Sequence, residues 1–152
     1  MDITLNWKSK MSFEGVGDSG FSQKMDSEEL AGGENSAARP MEFIALGLAG
    51  CTGMDVISIL QKKKQPVIDF QVKVHADRAE EHPKVFTRAV IEYLVTGKDV
   101  EEAALLRAIE LSAEKYCPAQ AMLSKAFSIQ LIYKIFDDDG KTLFKEGQYT
   151  QK

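Results

Sequence analysis

Length, composition and charge narrow the classes of protein to which this chain can belong. Its 152 residues, 44% of them hydrophobic, suffice for one buried core, so we expect a single domain over residues 1–152. The net charge of -4 gives no general attraction for nucleic acid. No amino-terminal stretch combines a basic region, an apolar run and a cleavage site, so we expect a soluble, cytoplasmic protein with no nucleic-acid and no membrane partner.

The amino-terminal part alternates apolar and polar residues in the way typical of β-strands. Strands are predicted over residues 3–8, 11–16 and 21–25, the first of them half-buried, and together they predict an antiparallel meander. Residues 26–39 are small and polar and contain a glycine pair, which predicts a loop. Loops of this length are often functional.

The segment around which the chain is organised is RPMEFIALGLAGCTGMDVISILQKKK, residues 39–64. Pro40 suits the first position of a helix, where its missing N–H costs nothing, and Glu42 falls in the first turn, where the helix dipole favours a carboxylate. Polar residues return only at the lysine-rich end. Because this helix is apolar all round, we expect it to be buried.

Cys51 lies in the middle of the predicted helix, on one face with Phe43, Gly47, Gly50 and Met54. Each interior glycine costs about 1 kcal/mol relative to alanine, so another element or a small ligand is expected to come close to the backbone there. In the alternative interpretation, Cys51 is a buried small hydrophobic residue and the glycines only permit contact between helices.

The second half of the chain predicts further strands over residues 67–78, 85–95 and 127–136. A broken helix separates the last two of these strands, and the polar tail after residue 136 is expected to be loosely held. Three strands, a long helix, two strands, a broken helix and a strand together indicate the α+β fold class.

Two local signals define the broken helix. Asp99 and Glu102 resemble a capping box that opens a helix through Glu114. A residue before proline is pushed out of helical geometry, so Cys117 is expected to cap a second, short helix that begins with Pro118. That short helix is predicted over residues 118–126.

The chain's two cysteines, Cys51 and Cys117, are too few for the disulfide framework of a secreted protein and are expected to be free, catalytic or redox-sensing. With the two histidines they show no paired ligand spacing, so we predict no metal site. A helix amino-terminus lowers a thiol pKa, which makes Cys117 the expected nucleophile from local physics. Cys51 lies deep inside its helix and would need a cation brought by tertiary structure, and Arg39 is the nearest candidate in sequence.

Two segments carry a family resemblance. P-M-E-F-I-A-L-G-L-A-G-C-T from Pro40 and K-Y-C-P-A-Q-A-M-L from Lys115 resemble the two cysteine motifs of the OsmC/Ohr family of osmotically inducible and organic-hydroperoxide-resistance proteins. The wording P-M-E and G-C-T is most similar to the OsmC-like branch typified by YhfA. The resemblance implies an OsmC-like fold, with antiparallel sheets around a long central helix, and an intertwined homodimer with active sites at the subunit interface.

The resemblance also implies a thiol peroxidase of the oxidative stress response that reduces organic hydroperoxides and is itself reduced by a dithiol. In that role Cys51 attacks the peroxide, and Cys117 resolves the sulfenic acid as a Cys51–Cys117 disulfide. This chemistry needs no metal and no organic cofactor. Apolar surroundings would favour an organic hydroperoxide over hydrogen peroxide. Such a substrate pocket is expected to be lined by Phe43, Leu46, Met54 and Met122. Each of these four could instead be an ordinary residue of the hydrophobic core.

The sequence departs from the family pattern at the residues that activate the attacking cysteine. Hydroperoxidases of the Ohr type use an arginine in an amino-terminal loop and a glutamate directly after the proline, whereas here Met41 follows Pro40 and no arginine precedes Arg39. Arg39 and Glu42 are the candidate substitute pair, or they form an ordinary first-turn ion contact. The alternative function is therefore a non-catalytic dimeric protein that senses redox state or binds an apolar ligand.

Overall fold

A computed structural model describes residues 1–150 and forms two compact units, which meet in the chain at residues 44 and 45. The long helix begins in the first unit and has most of its length in the second. The elements, in chain order, are β1 Ile3–Ser9, β2 Ser12–Gly17, β3 Ser22–Met25, α1 Pro40–Lys62, β4 Asp69–Arg78, β5 Phe86–Thr96, α2 Glu102–Leu111, α3 Pro118–Leu123, β6 Ser128–Phe136 and β7 Leu143–Tyr149.

The first unit contains the predicted antiparallel meander, in the order β1-β2-β3. The expectation that β1 is half-buried is wrong, because every residue of this strand is exposed. Its apolar side chains include Trp7, which is 65% exposed. Three short strands alone supply too little apolar surface to form a second layer over this face.

The loop after β3 is organised by Asp26, which is 2% exposed. Its carboxylate accepts hydrogen bonds from the backbone N–H groups of Ser27, Glu34 and Ser36 and from the Ser36 hydroxyl, at 2.7 to 3.1 Å. The Ser36 hydroxyl and these amides hold the pKa of Asp26 well below its usual range. A polar loop thus closes around one buried carboxylate.

Helix α1 begins at Pro40, as predicted, and ends at Lys62. The expectation that it is buried all round is wrong for the chain by itself. Leu48, Val56 and Leu60 are at most 2% exposed, whereas Leu46 and Met54 are 66% and 69% exposed. By length and composition alone α1 could cross a membrane, a test that the core helices of soluble proteins also pass.

The glycines of α1 differ in their surroundings. A Cβ at Gly53 would lie 3.2 Å from Cγ2 of Val72 on β4, so this glycine permits a close approach of the sheet. A Cβ at Gly47 or Gly50 would meet no atom of the described residues within 4 Å, apart from its own helix and chain neighbours. The expected close approach to the helix backbone is therefore present at Gly53 and absent, within residues 1–150, at the other two.

The second unit is built on the sheet β4-β5-β6-β7. Its outer pairs are antiparallel and its central pair, β5 and β6, is parallel, so the α+β fold with a long helix is confirmed and this sheet is a mixed one. Parallel neighbours require a crossover connection, which α2 and α3 provide. The buried residues that join α1, this sheet and α2 into one core include Leu60, Ile91, Tyr93, Leu105, Ile109, Leu131 and Ile135.

The tail expected to be loosely held instead forms β7, which pairs with β6 along Leu143–Tyr149; residues 151 and 152 lie outside the described part of the chain. A Cβ at Gly147 would come within 2.5 Å of the Tyr133 hydroxyl oxygen, so this glycine makes room for a cross-strand side chain. Gly147, a residue type that suggests a loop in the sequence, is thus a strand residue whose missing side chain leaves space for Tyr133.

The predicted capping box is absent. Helix α2 begins at Glu102 after Glu101, whose side chain makes no capping hydrogen bond, and Asp99 adopts a left-handed backbone with φ of 59°. The side chain of Gln65 accepts the Glu101 N–H at 2.8 Å, and the Glu102 carboxylate accepts the Tyr133 hydroxyl at 2.7 Å. Tertiary partners thus replace the local cap.

Candidate functional site: two thiols over a buried hydroxyl cluster

Cys51 lies in α1 directly before Thr52, which belongs to the buried face of the helix. The side chain of Cys51 is half-buried, and its thiol is free. On the opposite side of the helix the exposed residues include Gly50 and Met54. Cys51 is therefore at the border between the buried and the exposed face of α1, where a solute can reach its sulfur.

Cys117 is the residue that caps α3, as predicted from Pro118. Its backbone is extended, with φ of −79° and ψ of 101°, and its sulfur accepts the backbone N–H of Gln120 at 3.3 Å. The side chain is 2% exposed, and the thiol is free. The Cys117 N–H donates to the Ser112 carbonyl at 2.9 Å, which closes a π-helical turn over Ser112–Tyr116.

The second unit brings the two thiols together. Burial and the hydrogen bond with the Cys51 side chain raise the pKa of Cys117 from 9.0 to about 12, against the smaller opposing effect of the Gln120 N–H. The helix-end argument, which made Cys117 the expected nucleophile, is therefore outweighed by desolvation. Two adjacent thiols, one accessible and one buried and protonated at neutral pH, can be oxidised to a disulfide without any metal or organic cofactor.

A cluster of buried hydroxyl groups lies next to the thiols, and the sequence analysis missed it. The Thr52 hydroxyl is 2.7 Å from the Tyr93 hydroxyl and 2.9 Å from that of Ser112, and the Ser112 hydroxyl donates to Asp55 at 3.0 Å. Thr52, Tyr93 and Ser112 are all 0% exposed. We call these three residues with Asp55 the hydroxyl cluster. The sequence contains one sign of this cluster, because Thr52 is a polar residue on the same i, i+4 row of α1 as the buried leucines and valine.

Arg39 and Glu42 are neighbours in the first unit, but their side chains are not paired with each other. Glu42 Oε2 accepts the backbone N–H of Arg39 at 2.9 Å, while the Arg39 guanidinium donates to the side chain of Asn35 at 2.6 Å. The carboxylate therefore caps the amino-terminus of α1, and the guanidinium is bound to a neutral group.

The residues predicted to line a substrate pocket are mostly exposed. Leu46, Met54 and Met122 are 66%, 69% and 65% exposed, and Phe43 is half-buried in the first unit. Leu46 and Met54 flank Cys51 along α1, and Met122 is on α3, the helix that Cys117 caps. Their apolar surface is thus on the two helices that carry the thiols, and a closed pocket there would need a further covering layer.

Comparisons with known proteins agree on one family. The family model described as OsmC-like protein matches residues 33–132. Protein YhfA of Escherichia coli strain K12 is 39% identical over 135 residues, which cover 89% of this chain and 98% of that protein. A hypothetical protein from Aquifex aeolicus VF5 has a crystal structure with 31% identity and a TM-score of 0.78, over 90% of this chain and 96% of that one. An organic hydroperoxide resistance protein OsmC from Legionella pneumophila shares the fold, with a TM-score of 0.64 at 13% identity over 90% of this chain and 97% of that one.

Proposed function

Because the chain belongs to the OsmC-like protein family, we propose that it is a dithiol peroxidase that reduces organic hydroperoxides in the cytoplasm. The observation that carries this proposal is that a half-buried Cys51 lies close enough to the buried Cys117 to raise the pKa of its thiol. A disulfide between them requires only that the buried thiol meet an oxidised Cys51. No separate cofactor enters the scheme.

The proposed cycle has three steps. The Cys51 thiolate attacks the terminal peroxide oxygen: the O–O bond breaks, the S–O bond forms, and the departing alkoxide takes a proton from water, which gives the alcohol and a Cys51 sulfenic acid. The Cys117 sulfur then attacks the sulfenic sulfur: the S–O bond breaks, the S–S bond forms, and the thiol proton leaves with the hydroxide as water. A dithiol reductant finally exchanges with the disulfide and is oxidised in its place.

Exposure and pKa support Cys51 as the attacking residue. A peroxide reaches a half-buried sulfur more readily than one that is 2% exposed. The thiolate is the nucleophile, and the raised pKa of Cys117 keeps that residue protonated at neutral pH. Arg39, the arginine nearest to Cys51 in the sequence, stays the candidate source of positive charge for its thiolate.

The exposed apolar residues support an organic hydroperoxide as substrate. Leu46, Met54 and Met122 lie on the helices that carry the thiols, and Phe43 is earlier on α1. We propose that a second copy of the chain covers this surface and completes a pocket for an apolar substituent of the peroxide. The proposed assembly is thus a homodimer.

The second candidate function is a non-catalytic homodimer that senses redox state or binds an apolar ligand. It is favoured by Met41, which stands where Ohr-type proteins have the glutamate of the activating pair. Such a protein would keep the thiols and the apolar surface but would not turn over peroxide.

Peroxide consumption by single-cysteine variants separates the two functions. With tert-butyl hydroperoxide and a dithiol, the wild type should turn over, Cys117→Ser should react once and accumulate a dimedone-reactive sulfenic acid on Cys51, and Cys51→Ser should be inert. Arg39→Ala should slow the first step at neutral pH if this guanidinium supplies the positive charge that stabilises the attacking thiolate. If neither the wild type nor Cys117→Ser consumes peroxide, the second candidate function stands.

Sedimentation tests the homodimer. Met54→Asp places a charge on the exposed face of α1 and should weaken self-association at least about tenfold, because an unpaired charge at an apolar interface is costly. Ile68→Asp is the matched control, since Ile68 is also 66% exposed but lies outside the helix. A monomeric wild type at micromolar concentration would contradict the dimer.

A further inference from the structure

The hydroxyl cluster has a fixed order of donors and acceptors. Asp55 has no proton to give when ionised, so the Ser112 hydroxyl donates to it, at 3.0 Å. The single proton of Ser112 is thereby used, so Thr52 must donate to Ser112, and Tyr93 must donate to Thr52. Burial raises the pKa of Tyr93, so its hydroxyl keeps the proton that it donates to Thr52. One carboxylate therefore orients all three bonds.

Ser112 is the residue at which this cluster meets the thiols. Its carbonyl accepts the backbone N–H of Cys117 at 2.9 Å. Its hydroxyl binds Thr52, which directly follows Cys51, and Asp55, which is one turn further along the same helix. A single buried residue thus holds the backbone of the resolving cysteine and the helix of the attacking cysteine.

The cluster is unusual in its surroundings, because the other buried residues of α1 are apolar or glycine. Apolar residues of similar size would fill positions 52 and 112 without burying hydroxyl groups, and such contacts are not directional. Hydrogen bonds of 2.9 and 3.0 Å fix the distance and the angle between α1 and the turn that contains Ser112, and a bond of 2.7 Å fixes α1 to Tyr93 on β5; apolar packing does not impose such geometry. Local π-helical turns such as the one that contains Ser112 often occur at functional sites.

We propose that the hydroxyl cluster, acting through Ser112, is the positioning element for the resolving step, and that it holds Cys117 against Cys51 so that their disulfide forms. This inference rests on the proposed function for its biological meaning. The step is the one written above, in which the sulfenic S–O bond breaks, the S–S bond forms and water leaves. In this proposal the cluster residues do not contact the peroxide and take no part in the bonds made or broken at sulfur. Their role is to set the distance between the two sulfur atoms.

Equilibration with glutathione tests the proposal without using peroxide. The ratio of reduced to oxidised protein in glutathione buffers gives the effective concentration of one thiol at the other. Ser112→Ala removes the hydroxyl and keeps the carbonyl, and it should lower this effective concentration by about tenfold, equivalent to about 30 mV in the disulfide potential. Thr52→Val should have a similar effect, while Thr52→Ser, which keeps a hydroxyl, should stay near the wild type.

A control variant and a kinetic measurement separate positioning from general destabilisation. Tyr133→Phe removes a hydroxyl that binds Glu102 and should leave the glutathione equilibrium unchanged. In single turnover with peroxide, Ser112→Ala should slow disulfide formation about tenfold and leave sulfenic acid formation at the wild-type rate.

Two results would overturn the proposal: a wild type that forms no Cys51–Cys117 disulfide in glutathione, or Ser112→Ala and Thr52→Val variants whose effective concentrations are within twofold of the wild type. If the disulfide forms as expected but peroxide is not consumed, the peroxidase fails and the positioning role stands. The two failures are therefore distinguishable.

Discussion

The two faces of helix α1 are both apolar but have opposite surroundings. One face is at most 2% exposed and includes Leu48 and Leu60, whereas Leu46 and Met54 on the other are 66% and 69% exposed. The chain by itself thus covers only part of an apolar helix. An exposed apolar surface of this kind is typical of a binding or association site.

The difference between the two faces of α1 also bears on the exposure of the two thiols. Cys51 lies at the border of the faces and is half-buried, whereas Cys117 is 2% exposed. The buried face contributes Thr52 to the hydroxyl cluster, and the exposed face contributes apolar surface. One helix therefore carries both a hydrogen-bonded contact to Ser112, which binds the backbone of Cys117, and a half-buried Cys51.

The largest expected effect contrasts Leu60→Ala with Leu46→Ala. Leu60 is 0% exposed, so truncation should lower the free energy of unfolding by about 2–5 kcal/mol through lost burial and an internal cavity. Leu46→Ala should cost less, and its cost should depend on protein concentration if it comes from the proposed dimer. Urea unfolding at two concentrations measures both. Equal, concentration-independent losses would mean that the faces do not differ as described.

Much of the fold could be predicted from the sequence where the pattern is local. The three amino-terminal strands, the start of α1 at Pro40 and the cap at Cys117 are confirmed within one or two residues. These features depend on alternation and on the fixed φ of proline, which act within a few residues. The family resemblance is confirmed as well.

The features that were missed depend on distant partners. The segment that forms β7 is polar and was therefore expected to be a loose tail, yet its Gly147 accommodates Tyr133 on the adjacent strand. The low pKa expected of Cys117 at a helix amino-terminus is wrong, because burial raises the pKa of this thiol. The cluster joins Thr52, Tyr93 and Ser112, which are far apart in the sequence, and no local pattern connects them.

The dependence of stability on alkaline pH tests whether the Cys117 thiol is buried in the folded chain. In the unfolded chain Cys117 loses its proton near 9.0, whereas in the folded chain burial keeps it protonated to about pH 12. The stability that this group contributes is fully present below pH 9 and is lost as the pH rises toward 12, by about 1.4 kcal/mol per pH unit. Urea unfolding of the reduced protein between pH 8 and 10.5 should show this slope.

Cys117→Ala provides the matched control for the alkaline measurement. It should remove the part of the slope that belongs to Cys117 and leave the part due to Tyr93, whose pKa burial also raises. Identical slopes for the wild type and the variant would mean that Cys117 titrates normally, and the argument for Cys51 as the attacking thiol would lose its electrostatic support.

The smallest expected effect compares two glycines on the two faces. Gly50→Ala should stabilise the protein by about 1 kcal/mol, because alanine is the better helix former and its Cβ meets no described residue outside the helix within 4 Å. Gly53→Ala should gain less or lose stability, because its Cβ would press on Val72 at 3.2 Å. The shift in the urea midpoint measures the difference. A loss of stability for Gly50→Ala would mean that another molecule packs against this face at van der Waals distance. The sign of the change in the free energy of unfolding therefore reports how closely a partner approaches the helix beside Cys51.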